Sequence, residues 1–575
     1  MAADLRPTGW DAAAATGLCR AVNAGRLMAH LGEFARRVKL SGSPGELESF
    51  RYLGAEMAAA GFRTTLLSHD AYISLPGRSE VRVGGETLRS ITHSMSQPTP
   101  AAGLTAPLIY VGAGDAAAFA ARDVAGRIVL VDGIALEDVA VAASRAGALG
   151  QIHISPTEQL YEMCISPVWG SPSQHTRGEL PTTAICTIAH DDGARLRAHC
   201  LAGNVQAFMA TEVATGWRKT PLLVAELAAA EAPDEPFVLF SGHHDTWHFG
   251  VMDNGSANAT MLEAARLLAG ARASWRRGLR VCFWSGHSHG RYSGSAWYAD
   301  EAFDELDRRC VAHVNIDSTG GAGASEMTKS AVIDELKGVA AEAIASITGQ
   351  VHAGNRHGRV ADQSFWGVGL PSMFGSLSYQ PLGPGDPLPR LGWWWHTPCD
   401  LIEHIDADNL VRDTAVVLRV LHRLLTSPVL PLDYAACADS LLAELAGLEK
   451  TAGRALDLEG LRDAATTLKR QAAAVLAADA PAEAVNRALM RVSRALVPLN
   501  YTYGDRFRHD VALDHPPWPS LQGLRELAAQ APDSPDLPFY VVHARQTRNR
   551  IAHALRVANE ALGDVLSNGS TETQS

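Results

Sequence analysis

SGHHDTWHFGVMDNGSANAT at 241–260, then LRVCFWS at 279–285 and GHSHGRYSG at 286–294, is the stretch on which the fold is read. Each polar cluster directly follows an apolar, β-type run, FVLFSG at 237–242 before the first and LRVCFWS before the second. Between them Met261, Leu262, Ala265 and Leu268 recur at helical spacing and stop at Gly270. The alternation continues with a helix through Ser295–Leu306, VAHVNID at 311–317 and a helix at 331–346. Strands alternating with helices imply an α/β fold with a mostly parallel, doubly wound sheet covered on both faces. Ligand sites in such sheets lie beyond the C-terminal strand ends. His243, Asp253, the GHSHG turn and Asp317 all fall there.

The whole chain sets wider bounds. Single cores stop growing at roughly 250–300 residues, so 575 residues imply several domains. A net charge of -12 offers no general attraction to polyanions, which argues against nucleic acid or an anionic membrane surface as partner. No basic segment followed by an apolar one opens the chain, and no apolar run of about 18 residues occurs, so a cytoplasmic, non-spanning protein is expected. The cysteines at 19, 164, 186, 200, 282, 310, 399 and 437 form no C-x-x-C pair, which speaks for reduced thiols rather than a zinc knuckle or a disulfide scaffold.

Along the chain, residues 17–62 read as two helices around SGSPG at 41–45, and 70–110 as strands. ARDVAGRIVLVDG, EDVAVAASRAG and ALGQIHIS within 121–155 make a strand–helix–strand unit that resembles the protease-associated domain. Beyond Asp433 helical periodicity runs through 436–479, 483–497 and 539–564, broken by NYTYGDRFRHDVALDHPPWPS at 500–520. The expected division is a discontinuous catalytic domain at 1–70 and 216–430, an insert at 71–215, a helical domain at 431–565 and a disordered tail at 566–575.

His243, Asp253, Asp317 and His396 (in WWWHTPCD) supply nitrogen and oxygen ligands at successive strand ends, where a carboxylate that bridges is the usual way to hold two cations together. His243-x-Asp245, the F-G-x-x-Asp253 continuation, Asn315-x-Asp317-Ser318 and His396-Thr397-Pro398 resemble the motifs of the co-catalytic zinc exopeptidases, in particular the glutamate carboxypeptidase II and transferrin receptor group. The likeness takes in the SGSPGE segment, the insert, and a C-terminal helical domain whose NYTYGDRFRHD and PPWPSLQGL passages are similar to that group's dimerisation domain. It implies that His243 and Asp317 hold one metal, Asp253 bridges, His396 holds the other, Asp245 orients His243, and the chain forms a homodimer.

One passage departs from the pattern. Where that group has Trp-x-x-Glu-Glu-x-Gly, this chain has Trp284-Ser285-Gly286-His287-Ser288-His289-Gly290. In the group the first Glu is the general base and the second a metal ligand; His287 and Ser288 stand there instead. A histidine, with an ordinary pKa of about 6.5, can act as base. Serine is a poor substitute for a carboxylate ligand. Three readings stay open: His289 or His287 becomes the missing ligand of a dinuclear site; one metal sits on His243, Asp253 and Asp317; or catalysis is lost and the chain is a scaffold. A fourth takes Gly286-His287-Ser288-His289-Gly290 as G-x-S-x-G, with Ser288, Asp317 and His396 as a serine-hydrolase triad.

The expectation is a metal-dependent hydrolase of an amide or peptide-like C–N bond in a small molecule or short peptide. It uses one or two divalent ions, zinc first and manganese or iron as alternatives, with His287 as base. Arg359, Asp362 and Trp395 are the expected substrate contacts, Arg359 as a bidentate clamp on a carboxylate.

Overall fold

The computed structural model describes residues 9–571, apart from 231, 233 and 384–389. Twelve strands form one sheet: β1 (Arg63–Val83), β2 (Glu86–Leu88), β3 (Ser90–Thr92), β4 (Leu104–Tyr110), β5 (Ile128–Asp132), β6 (Gly150–Ile154), β7 (Ala184–Ile188), β8 (Val205–Leu227), β9 (Phe237–His243), β10 (Gly278–Trp284), β11 (Cys310–Asp317) and β12 (Ser372–Ser376). Their order is β12-β11-β9-β10-β8-β4-β5-β6-β7-β3, with β1 beside β8 and β2 beside β1.

The sheet is mixed, with two parallel blocks, β9–β12 and β4–β7, joined by the antiparallel ribbon of β1 and β8. The expectation of a mostly parallel sheet holds inside each block and fails at the ribbon. Both long strands alternate buried and exposed side chains over much of their length, as two-sided antiparallel strands do. The boundaries expected at 70/71 and 215/216 fall inside these two strands, which therefore run through both halves of the sheet.

Period-2 alternation sorts the first block's side chains onto two faces. Val238, Phe240, Val281, Phe283, Val314 and Ile316 face the helices Ala24–Phe34, Pro44–Ala59, Ala257–Gly270 and Ala407–Thr426. Phe237, Leu239, Cys282 and Trp284 face the helices Ser293–Glu301 and Phe303–Arg309. The second block has its own small cores, Ile128, Leu130 and Leu196 on one side and Val129, Val131 and Val139 on the other. The C-terminal helices Tyr434–Glu449, Glu459–Ala477, Ala482–Tyr501 and Leu537–Thr571 share the first block's main core through residues such as Leu445, Leu489 and Leu555.

The helix Ala407–Thr426, which the sequence reading leaves unassigned, is the central strut against the sheet. Asp413, Arg419, His422 and Arg423 are buried on it beside Leu418, Leu421 and Leu425, so polar and apolar positions alike face inward. Residues 17–62 form parts of three helices, because Asn23 and Ser43 each cap a new one. Of the expected tail, 566–571 continue the last helix, since Val565 is buried and Leu566 packs against the core; 572–575 lie outside the described residues.

β9 is the switch point of the first block. The chain leaves it for β10 on one side and returns past it to β11 on the other, which opens a crevice at the C-terminal ends of β9 and β11. Leu421→Ala, at a fully buried position on the central strut, is expected to cost about 2–5 kcal/mol by denaturant titration, against under about 0.5 kcal/mol for Leu201→Ala at a largely exposed one.

Candidate metal centre

β9 ends on His243 and β11 on Asp317, side by side. Gly242 permits their closeness, because a Cβ there would lie 2.8 Å from the Ile316 carbonyl oxygen. After β9 the chain loops to an irregular turn, Val251–Ser256, in which Asp253 and Asn254 leave helical geometry. Asp400 fixes this turn, its two carboxylate oxygens accepting the backbone N–H of Met252 at 2.8 Å and of Asp253 at 3.0 Å. Burial holds the Asp400 pKa up, at about 7.

Asp253 spans two imidazoles. Its Oδ1 lies 3.0 Å from His243 Nε2 and its Oδ2 3.0 Å from His396 Nε2, while Asp317 Oδ2 is 3.6 Å from His243 Nε2. His243 Nδ1 is 2.9 Å from the Asp245 carbonyl and His396 Nδ1 is 2.6 Å from the Glu162 carbonyl. Carbonyls only accept, so each Nδ1 carries a proton, and each Nε2 is the ring atom turned towards the carboxylates. His243 Nε2 and Asp253 Oδ1 lie 3.0 Å apart, and both are buried without a hydrogen-bond partner.

Imidazole nitrogens and carboxylates thus converge, which is the donor set a divalent cation fits. Burial opposes charge on His243, yet Asp253 and Asp317 hold its pKa well above the usual histidine range. The Asp253 carboxyl, although buried, is held well below the usual range by His243 and His396. A proton on Nε2 and a cation compete for the same place.

His287 and His243 stack face to face, centroids 3.6 Å apart and planes 13° apart. One ligand atom from each of His243, His287 and Asp317 falls within 4.8 Å of the others. His287 Nδ1 lies 2.9 Å from Asp362 Oδ2. The Asp245 carboxylate does not hold the His243 ring, which bonds instead to its carbonyl. It accepts the Ser41 hydroxyl at 2.7 Å and the N–H of His287 and Ser288 at 3.2 and 2.9 Å, so it anchors the turn that carries them.

Other sequence-selected residues take different places. His289 points away from the cluster, its Nδ1 2.9 Å from Ser41 Oγ and its ring on Trp247, and burial lowers its pKa. Arg359 is spent on the carbonyls of Asp510 and Val511 and lies over the Trp169 ring, so no clamp projects into the cleft. Asp362 is buried under His287 rather than turned to a ligand. Trp395 lines the cleft and stacks on His396, centroids 3.5 Å apart. Ser288 Oγ is buried without a hydrogen bond, His396 bonds Glu162 and Asp317 bonds Ser318, so Ser288, Asp317 and His396 form no triad.

Glu162, Ser41 and Asp400 are site residues that the sequence reading did not select. Asp400 and Ser41 each left a signal, Asp400 four residues after His396 in WWWHTPCD and Ser41 at the start of SGSPGE. The cleft above the cluster has a volume of about 310 Å³, and Leu136, Met163, Phe374 and Leu391 line it with the site residues. Of nine non-glycine residues with positive φ among the described residues, six border it: Arg291, Tyr292, Ser318, Ala361, Phe374 and His396. Such strain collects where geometry is over-determined by function.

Strand ends thus gather histidine and aspartate around one crevice. Residues 223–421 match the profile of peptidase family M28, in keeping with the resemblance to zinc exopeptidases. Among curated relatives, the "Probable glutamate carboxypeptidase LAMP1" of Arabidopsis thaliana is 29% identical over 125 residues, 21% of this chain and 18% of that protein. "Aminopeptidase YwaD" of Bacillus subtilis (strain 168) is 26% identical over 333 residues, 55% of this chain and 66% of that protein. The chain thus spans less than a fifth of the first relative's length and about two thirds of the second's. An aminopeptidase from Aneurinibacillus sp. strain AM-1 superposes with a TM-score of 0.56 at 21% identity, covering 71% of this chain and 96% of its own. BSAP, a zinc aminopeptidase from Bacillus subtilis, gives 0.55 at 20% identity, covering 70% and 95%. These superpositions establish the shared fold.

Because Asp400 holds the backbone of Asp253, Asp400→Ala is expected to weaken zinc binding about 10- to 100-fold by competition with a fluorescent chelator. Unchanged affinity would mean that Asp253 is set by other contacts.

Proposed function

We propose that this chain is a metal-dependent hydrolase of amide or peptide-like C–N bonds, with His287 in the role of general base. The observation that carries the reading is the convergence of His243 Nε2 on Asp253 and Asp317 and of His396 Nε2 on Asp253. A bound divalent ion, zinc by likeness to BSAP, supplies Lewis acidity that acidifies water and polarises a carbonyl.

His243, Asp253 and Asp317 form the first position. The second has Asp253 and His396, with Ser288 where the exopeptidase group carries a carboxylate. One tightly held ion per chain follows, and any second ion binds more weakly. His287 is not a further ligand of the first ion. The His287 ring stacks on His243 with planes 13° apart and turns its Nδ1 to Asp362, so His243, Asp253 and Asp317 would be the residues that hold the ion. The His287 ring is left to take a proton from the attacking water and return it to the leaving amine.

The cleft's apolar lining suits a small or short-peptide substrate. The lobe around 71–215 is proposed as a protease-associated insert and the C-terminal helices as a dimerisation element. A cytoplasmic setting agrees with eight unpaired cysteines. No described helix is long and apolar enough to cross a membrane.

His243→Ala and Asp253→Ala are expected to lose both bound zinc and hydrolysis of aminoacyl p-nitroanilides, whereas His287→Ala keeps the zinc and loses about 10²- to 10⁴-fold in kcat. Elemental analysis beside steady-state kinetics decides. Near-zero metal after growth with several added cations would favour a scaffold, and activity in a metal-free preparation would end the metal reading.

A further inference from the structure

We infer that Asp362, backed by Ser295, is the positioning residue of His287: it fixes the ring's proton on Nδ1 and leaves the Nε2 lone pair free beside the Asp253–Asp317 cluster. The inference rests on the reading of His287 as base and gives that base its orienting partner.

The geometry carries it. Asp362 is 1% exposed, and its Oδ2 lies 2.9 Å from His287 Nδ1. Its Oδ1 accepts the Ser295 hydroxyl at 2.8 Å; Ser295 Oγ is 2.8 Å from Ser364 Oγ, and Ser364 Oγ accepts Trp169 Nε1–H at 2.8 Å. An indole N–H can only donate and a carboxylate can only accept, so the chain has one direction. It runs from Trp169 through Ser364 and Ser295 to Asp362, and the remaining carboxylate oxygen faces His287. Among the described residues His287 is the only ion-pair partner of Asp362. The other tautomer would set an Nδ1 lone pair against a carboxylate oxygen at 2.9 Å, two acceptors without a proton between them.

The ring has little freedom to escape this arrangement. His243 covers one face, and Tyr292 meets it edge-on with centroids 4.8 Å apart and planes at 79°. Ala361, with φ of +56°, bends the chain so that Asp362 turns inward under the ring. In turnover Nε2 gains the proton of the attacking water and loses it to the departing amine nitrogen. Asp362 faces the imidazolium while it exists and holds its Nδ1–H. With both oxygens engaged and the side chain buried, it has no free atom to offer a substrate, which replaces its expected role as a substrate contact.

The test compares zinc-loaded wild type with Asp362→Asn and Ser295→Ala on leucine p-nitroanilide, and follows the imidazole ¹⁵N resonances, His287 being assigned by its loss in His287→Gln. Asn keeps the size and can still meet Ser295, so the fold is retained, as an unchanged melting temperature verifies. Expected for Asp362→Asn is a fall in kcat of about 10²-fold or more, KM within about two-fold, unchanged zinc content, and a His287 signal that moves from the Nδ1–H form towards a mixture. Ser295→Ala gives an intermediate loss.

An unchanged kcat overturns the inference. So does a rise in KM at constant kcat, which would make Asp362 a substrate contact, or loss of zinc with the rate, which would make His287 a ligand. A wild type that hydrolyses no anilide yet shows the Asp362-dependent tautomer shift contradicts the hydrolase reading alone and supports the placement of Asp362.

Discussion

Asp253 is the constraint on which the site depends, a buried carboxylate whose two oxygens each face the Nε2 of an imidazole. Buried negative charge without a counter-ion is costly. Asp400 grips the backbone of the turn, the carbonyls of Asp245 and Glu162 set the histidine tautomers, and Gly242 lets β9 and β11 close on each other. All of this presents donors to a point that only a cation or a pair of protons can satisfy.

The second lobe takes part in that arrangement. Glu162 and His396 exchange backbone and side-chain hydrogen bonds, and Arg291, just after the GHSHG turn, pairs with Glu137 and bonds the Cys164 carbonyl. Leu136, Met163 and Cys164 wall the cleft. A lobe tied to the first by β1 and β8 thus fixes one candidate ligand and shapes the substrate's space.

What was legible in the sequence is what strand periodicity and strand ends dictate. The runs 237–242, 279–285 and 311–317 announced β9, β10 and β11, and with them the placement of His243, Asp253 and Asp317. Side-chain directions inside turns were not legible. Spacing cannot say that His287 turns to Asp362 while His289, two residues on, turns under Asp245 and Ser41, because contacts more than 40 residues away decide both. Arg359 failed for the same reason, its guanidinium being taken by carbonyls about 150 residues downstream. The β1–β8 ribbon was lost because each strand meets its partner across more than a hundred residues of chain, as its register shows.

The central claim is that one ion sits on His243, Asp253 and Asp317 while His287 stands beside it as a base. Anomalous diffraction from crystals of the zinc-loaded protein, with data on both sides of the zinc edge, tests this directly. The expected result is a full-occupancy peak within coordination distance of His243 Nε2, Asp253 and Asp317, with His287 Nε2 beyond it and His287 Nδ1 still on Asp362. A peak bonded to His287 Nε2, or no peak in this cluster, would contradict it.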